Sequence, residues 1–176
     1  MKFTETKLEG SFIIEIEKLE DERGFFARTW DQEKFNEKGL NSEISQCSIS
    51  FNKKIGTLRG MHYQKEPYQE VKIVRCTKGK IFDVIIDLRK DSKTFNDWFG
   101  VELSSENHKI LYVPKGFAHG FQTLEDNTEV FYQISTEYMP EYSRGRLWND
   151  SRFDISWPIT PPIISEKDKN FLNSKN

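Results

Sequence analysis

Three side chains able to carry positive charge, Arg59, His62 and Lys72, fall within fifteen residues of apolar, β-prone sequence. Lys72 lies in a run rich in branched residues, which predicts a strand with Val74 and Cys76 on the same side as the lysine. An ammonium on an apolar face needs a partner or a chemical role, because burying an unpaired charge is costly. His62 alone is more typical of a hydrogen-bonded structural histidine than of a reactive one, so it is the cluster that indicates a reactive site.

Three further polar residues stand in apolar or turn surroundings. His119 follows a Pro/Gly turn and is flanked by aromatic residues, and Tyr132 alternates with apolar residues in a predicted strand. A buried tyrosine either finds a hydrogen-bond partner or donates a proton to a substrate. Asp168 lies three residues after Ser165, the predicted N-cap of a short helix that begins at about residue 165. Composition alone therefore favours a capping or dipole-stabilising role for Asp168 over a catalytic one.

A metal site in a β-barrel is the first alternative, since it requires two or three histidines and usually a carboxylate. Gln64 occupies the second position of an H-x-H pair that begins at His62, and Lys72 would repel a cation. His108 falls in a polar stretch that predicts a surface turn. We therefore predict no metal ligand and no cofactor; the chain also has no nucleophile elbow and no glycine-rich phosphate loop.

Composition excludes several classes of protein. With 26 Lys and Arg against 28 Asp and Glu, the net charge of −2 gives no general attraction for nucleic acid or a membrane surface. Two cysteines, Cys47 and Cys76, are too few for a disulfide framework, and we expect each to be a small buried apolar group. Neither a signal-like apolar segment nor a run of ~18 apolar residues is present. These features predict a cytoplasmic globular protein.

Short β-prone runs separated by turn residues recur along the chain. About ten such runs with little helix indicate an all-β sandwich or barrel, and the absence of repeats or linkers predicts a single domain over residues 1–176. A short helix is expected over Asp31–Lys38, ending at Gly39. The runs Val71–Cys76 and Ile81–Leu88 are interpreted as a hairpin closed by Thr77–Lys80.

Taken together, the motifs resemble those of the dTDP-4-dehydrorhamnose 3,5-epimerase family of nucleotide-sugar epimerases, nearly end to end. The resemblance rests on several spaced blocks in the family's order: Asp21–Phe26, Leu58–Gln64, Phe82–Val84, Asp87–Arg89, Pro114–Phe121, Trp148–Asp150, Trp157–Pro158 and Ser165–Asp168. It implies an all-β, cupin-type jelly-roll fold with a few short peripheral helices.

The resemblance also implies a chemistry. The family's substrates are 4-keto-6-deoxy sugars on a nucleoside diphosphate, used in deoxysugar biosynthesis for surface polysaccharide. Loss of a proton from C3 or C5 gives an enolate, which requires a base, an acid on the other face and a positive group at the ketone oxygen. By position in the family motifs, His62 is the base, Asp168 orients it, Tyr132 is the opposite-face donor and Lys72 stabilises the enolate. No metal or cofactor is implied.

The family positions also suggest which residues bind the substrate. They are Arg23, Phe25, Arg28, Gln46, Arg59, His119 and Tyr138. Arg23 and Arg59 resemble diphosphate contacts, since a guanidinium grips phosphate oxygens well. His119 resembles a sugar contact near the ketone. Gln46 and Tyr138 resemble the nucleobase pocket, although an exposed aromatic without a ligand is an equal explanation for Tyr138.

One position departs from the family pattern. Arg28 stands where the family commonly has an acidic residue, so thymine recognition is left open together with uracil, cytosine and guanine nucleotides, and a heptose is open beside a hexose. Family members dimerise by exchanging N-terminal strands. The resemblance therefore implies a homodimer in which Arg23 serves the partner's site.

Two alternatives from other classes remain at this point. A cupin 3,4-ketoisomerase would move the carbonyl of the same kind of substrate, and a non-catalytic module would only bind the sugar nucleotide. The joint presence of His62, Lys72, Tyr132 and Asp168 favours epimerisation. Whether C3, C5 or both are inverted is left open.

Overall fold

The structure, a computed structural model, describes residues 1–171. Strands dominate this part of the chain, and the two helices are short. The strands are β1 (Lys2–Glu5), β2 (Phe12–Glu15), β3 (Lys18–Asp21), β4 (Gly24–Ala27), β5 (Gln46–Asn52), β6 (Thr57–Gln64), β7 (Lys72–Lys78), β8 (Lys80–Asp87), β9 (Trp98–Ser104), β10 (Ile110–Val113), β11 (Phe117–Thr123), β12 (Thr128–Ile134), β13 (Ser143–Gly145) and β14 (Ile163–Ile164). The helices are α1 (Gln32–Glu37) and α2 (Glu166–Lys169).

The strands form two sheets and one separate hairpin. One sheet has six strands in the order β1-β2-β10-β7-β12-β5, and the other has five in the order β13-β6-β11-β8-β9, with β14 joined to β6. The strands β3 and β4 pair only with each other. The predicted all-β jelly roll with short peripheral helices is confirmed. No helix within residues 1–171 combines the length and apolar character needed to cross a membrane.

Apolar side chains fill three layers. Val74 and Phe121, one from each sheet, belong to the cluster between the sheets. Phe35 of α1 packs with Tyr112 on the outer face of the six-stranded sheet, and Trp157 belongs to a cluster on the outer face of the other sheet. Close packing of these three apolar layers supports the two sheets, and with them the polar side chains that the sheets carry.

The helix predicted over Asp31–Lys38 is present as α1. The Asp31 side chain accepts a hydrogen bond from the backbone N–H of Lys34, as an N-cap residue does. Gly39 follows the helix with φ of 68°, a conformation that favours glycine and ends the helix.

The hairpin predicted across Thr77–Lys80 is wrong. The strands on its two sides lie in different sheets: β7 pairs with β10 and β12, whereas β8 pairs with β9 and β11. Gly79, with φ of 75°, lets the chain cross from one sheet to the other. Both strands turn an apolar face to the same core. Their sequence patterns therefore do not show whether they are hydrogen-bonded neighbours in one sheet or lie opposite each other in two sheets.

The prediction that both cysteines are buried holds for one of them. Cys76 is buried on β7, where burial raises the pKa of its thiol to about 11. Cys47 is exposed, because it lies on the edge strand β5. The alternation of polar and apolar residues in this segment gives no indication that one of its faces is open.

Candidate active site

A cavity of about 350 Å³ is lined by side chains from both sheets. It brings together seven of the residues predicted from the sequence to form a site: Gln46, Arg59, His62, Lys72, His119, Tyr132 and Tyr138. Strands β6 and β11 supply one wall, and β5, β7 and β12 supply the other.

His62 on β6 is held by Asp168 from the carboxyl-terminal helix. The carboxylate Oδ1 lies 2.8 Å from His62 Nε2, and Oδ2 accepts the backbone N–H of Gly60 at 3.3 Å. Ser165 caps α2 by accepting the backbone N–H of Asp168, so the cap uses the backbone of this residue and leaves its carboxylate for the histidine. Burial opposes ionisation of Asp168, but the hydrogen bond and charge of His62 outweigh it and lower the pKa of the carboxyl group.

Lys72 and Tyr132 face the cavity from the six-stranded sheet. In the β7–β12 register Tyr132 is opposite Val74 and Ile134 is opposite Lys72, so the lysine and the tyrosine share the inner face. The predicted common face of Lys72, Val74 and Cys76 is confirmed, since Val74 and Cys76 belong to the cluster between the sheets and Lys72 lines the cavity there, whereas Ile73 packs in the outer cluster. Burial, together with the negative charge of Asp83, raises the pKa of the Tyr132 hydroxyl well above its usual value. The phenol therefore stays protonated and is available as a donor.

His119 lies next to His62 across the β6–β11 pair. Its Nε2 is 2.8 Å from Oδ1 of Asp83, and both residues are buried. Burial raises the pKa of Asp83, although the charge of His119 opposes that shift. The rings of His119 and Tyr132 meet edge to face at 5.9 Å, so this histidine supports the tyrosine side of the cavity. Within residues 1–171, no three His, Cys, Asp or Glu side chains cluster as a metal site would require.

Arg59 is positioned by a residue that the sequence did not indicate. The Nε–H of Arg59 donates to Oδ1 of Asn52 at 2.7 Å, and the amide nitrogen of Asn52 donates to backbone carbonyls of Ser50 and Thr128. Asn52 is almost completely buried at the end of β5. Its amide thus fixes the guanidinium at the wall of the cavity.

Two more residues of the cavity were missed. Lys167 lines it and is adjacent to Asp168 on α2, so the cap motif gave a usable signal for this further cation. Glu70 also lines it and pairs with Lys72. Its place two residues before the lysine was the available signal.

The mouth of the cavity is formed in part by the loop around Tyr138. The backbone N–H of Tyr138 donates to Oε1 of Gln46 at 3.2 Å, and that of Met139 donates to Oε1 of Gln64 at 2.6 Å. The ring of Tyr138 is 55% exposed on this anchored loop. A planar base can stack on such a surface.

Three of the predicted binding residues lie outside this cavity. Arg23 pairs with Asp21 at the exposed turn of the β3–β4 hairpin. Phe25 packs its ring against that of His108, with centroids 5.1 Å apart. Arg28 forms an ion pair of 3.3 Å with Asp31. The structure of the single chain does not bring Arg23, Phe25 and Arg28 to the site.

A carboxylate-held histidine that faces a phenol and an ammonium across the interior of a jelly roll is an arrangement that suits an enzyme of the proton-transfer class. Its chemistry is typical of groups that act next to a carbonyl.

Comparison with known proteins identifies the family. The model of the dTDP-4-dehydrorhamnose 3,5-epimerase family matches residues 5–176. The dTDP-4-dehydrorhamnose 3,5-epimerase of Shigella flexneri is 44% identical over 171 residues, covering 97% of this chain and 94% of the relative. A crystal structure of the Bacillus anthracis enzyme with TDP and PPi bound superposes with a TM-score of 0.94 at 41% identity, covering 97% of each chain.

A more distant structure is a 3'-monoepimerase from Streptomyces bikiniensis in complex with dTDP-quinovose, with a TM-score of 0.88 at 28% identity, covering 94% of this chain and 84% of that one. The chain therefore belongs to the dTDP-4-dehydrorhamnose 3,5-epimerase family, as its motifs predicted, and has the cupin-type jelly roll of an epimerase.

Proposed function

We propose that this chain inverts C3, C5 or both in a 4-keto-6-deoxy sugar carried on a nucleoside diphosphate. The observation that carries the proposal is the placement of His62 and Tyr132 on facing sheets, with both side chains lining one cavity. Inversion requires a proton to leave one face of a carbon and another to arrive on the opposite face. Two proton-transfer groups on opposite walls meet that requirement.

The proposed reaction begins at His62. Ionised Asp168 accepts the Nε2–H, which leaves Nδ1 with the lone pair that removes the proton next to the ketone. The C–H electron pair moves into the ring and the ketone oxygen becomes an enolate, whose charge the Lys72 ammonium stabilises. Tyr132 then gives its proton to the opposite face. The imidazolium loses a proton to water and the tyrosinate regains one, so no metal, oxidant or reductant is required.

Substrate binding is proposed for the polar rim of the cavity. Arg59 and Lys167 supply the positive charge for a diphosphate, and Gln46 and Tyr138 form a surface for the base. Thymidine diphosphate is the nucleotide we propose first, because the Bacillus anthracis relative holds TDP. Since Arg28 lies outside the cavity of its own chain, a role for this arginine in the choice of nucleotide requires it to reach the site of a second copy.

A homodimer would bring the hairpin residues to a site. Leu19 and Phe26 of the β3–β4 hairpin are 70% and 68% exposed, which is unusual for large apolar side chains. The edge strand β5 carries exposed Ile49 and Phe51 and also lines the cavity. We propose that the hairpin of one copy packs beside β5 of the other, which would place Arg23 at the partner's cavity.

The test is solvent-deuterium exchange with 4-keto-6-deoxyglucose on thymidine, uridine, cytidine and guanosine diphosphates. Deuterium at C3 or C5 with an inverted product supports the proposal. Movement of the carbonyl from C4 to C3 would identify a ketoisomerase, and binding without exchange would identify a non-catalytic module; either result contradicts the proposal. The single domain and the cytoplasmic location predicted from the sequence stay predictions.

A further inference from the structure

Glu70 is a carboxylate inside the cavity to which the proposed reaction gives no role. Its side chain is 7% exposed and that of Lys72 is 11% exposed, so the ion pair between them is almost completely shielded from water. Oε1 lies 3.0 Å from Lys72 Nζ, and Oε2 accepts the backbone N–H of Gln64 at 3.0 Å. A buried carboxylate with both oxygens occupied in this way is a rigid support.

The lysine has a second partner on the same side. Lys72 Nζ donates to the backbone carbonyl of His62 at 3.2 Å. An ammonium has three N–H donors, and the carbonyl and Glu70 accept two of them. One donor is left for an oxygen of the substrate.

We propose that Glu70 is a positioning residue for Lys72, which it fixes beside the backbone of His62 so that the remaining N–H meets the enolate oxygen. This inference rests on the proposed function. A free lysine side chain has many rotamers, and a group aimed in advance at the developing charge stabilises it without reorganising. Because the enolate exists only after proton removal, loss of the positioning lowers kcat more than it raises KM.

Other charges around the lysine do not replace Glu70. Arg59 and Lys167 line the same cavity but are cations, and neither His62 nor His119 is a carboxylate that could pair with an ammonium. The buried Asp83 lies on the opposite sheet and directs Oδ1 to His119, so it interacts with the charge of Lys72 without forming an ion pair with it. Among residues 1–171, Glu70 is the only carboxylate that forms an ion pair with Lys72.

The experiment compares Glu70→Ala and Glu70→Gln in the wild-type and Lys72→Met backgrounds, with kcat and KM measured separately. Glu70→Ala should lower kcat about 10-fold with KM changed less than about threefold, the effect of losing one hydrogen bond to a charged group. Glu70→Gln should recover part of kcat, since the amide oxygen can still accept from the ammonium although the NH2 group cannot accept from the backbone N–H of Gln64. In the Lys72→Met background the two substitutions should be equivalent.

The exposed ion pair of Lys34 and Glu37 supplies the matched control, and Glu37→Gln should leave kcat unchanged. Equal losses from Glu70→Ala in both backgrounds, or no recovery with Gln, would overturn the inference. A second measurement does not depend on turnover: the ¹⁵N-ammonium signal of Lys72 should be protected from exchange in the wild type and lose that protection in Glu70→Ala. A Lys72 signal that stays protected in Glu70→Ala contradicts the inference about Glu70, whether or not the protein is an epimerase. Absence of turnover in the wild type contradicts only the proposed function.

Discussion

Asp168 holds His62 across 106 positions of sequence, with its Oδ1 2.8 Å from the histidine Nε2. The contact joins the carboxyl-terminal helix to strand β6, and a second carboxylate oxygen binds the backbone of Gly60. The histidine therefore has one tautomer and one orientation when Asp168 is ionised.

Asp168→Asn should lower kcat by about 10²-fold while leaving nucleotide affinity nearly unchanged, because the amide misorients the base without emptying the cavity. Steady-state rates and calorimetric titration with thymidine diphosphate measure the two effects. Glu166→Gln, on the exposed side of the same helix, is the control. A variant with wild-type kcat would show that Asp168 serves only the fold.

The N-cap motif at Ser165 shows which part of the site could be predicted from the sequence. Ser165 indicated the start of α2 correctly, because capping is a contact between residues close in the chain. The direction of the Asp168 carboxylate depends on β6, more than a hundred residues away, so local chemistry favoured capping over catalysis. The resemblance to the family, rather than the local pattern, indicated the partner.

The difference between local contacts and contacts of residues distant in sequence also explains which predictions were right and which were wrong. The common face of Lys72, Val74 and Cys76 follows from strand alternation and was predictable. The pairing of β7 and β8 with strands far away in sequence was not, and the predicted hairpin failed there. Asn52 and Glu70 look like ordinary surface residues in the sequence because their burial arises only when the two sheets meet.

Asn52→Ala should raise KM about 10-fold with little change in kcat. The substitution removes the amide that holds the Arg59 guanidinium, and a phosphate contact acts equally on the bound substrate and the transition state. Initial rates over a range of substrate concentrations separate the two constants. A fall in kcat at constant KM would mean that Arg59 acts on the reacting sugar instead.

Exposed Phe26 should stabilise the dimer. Phe26→Asp places a charge on the apolar hairpin, and we expect light scattering over a dilution series to show a shift toward monomer, with lower activity where the monomer dominates. Phe95→Asp provides the control, since Phe95 is also exposed but lies in the β8–β9 loop. If the Phe26 variant and the control behave alike, the hairpin is not an interface.

Asp87 should contribute to stability in a pH-dependent way. Burial opposes its ionisation, but hydrogen bonds from Arg89, Ser92 and Thr94 outweigh burial and lower the pKa to about 2 from an ordinary 3.8. The charged form is thus stabilised by folding, and the contribution, about 2 kcal/mol above pH 4, is lost as pH falls toward 2.

The free energy of unfolding in urea should therefore drop by about 2 kcal/mol in Asp87→Asn at pH 7, with a smaller difference from wild type at pH 3. Asp91→Asn, an exposed neighbour in the same loop, should have no such effect. A difference that does not depend on pH would assign the loss to packing instead of charge.

We propose that His62 and Tyr132 act on opposite faces of the sugar. His62→Ala removes the base, so exchange of substrate protons and formation of product should both fall on the order of 10²–10⁴-fold. Tyr132→Phe leaves His62 and Lys72 in place, so the enolate still forms and the histidine can return a solvent proton to the original face.

The most direct measurement is the position and configuration of deuterium incorporated by Tyr132→Phe in heavy water, read by NMR of the recovered sugar nucleotide. We expect deuterium at C3 or C5 with the original configuration retained and the inverted product strongly reduced. Inversion at the wild-type rate in this variant would contradict it, and the acid on the second face would then be another group.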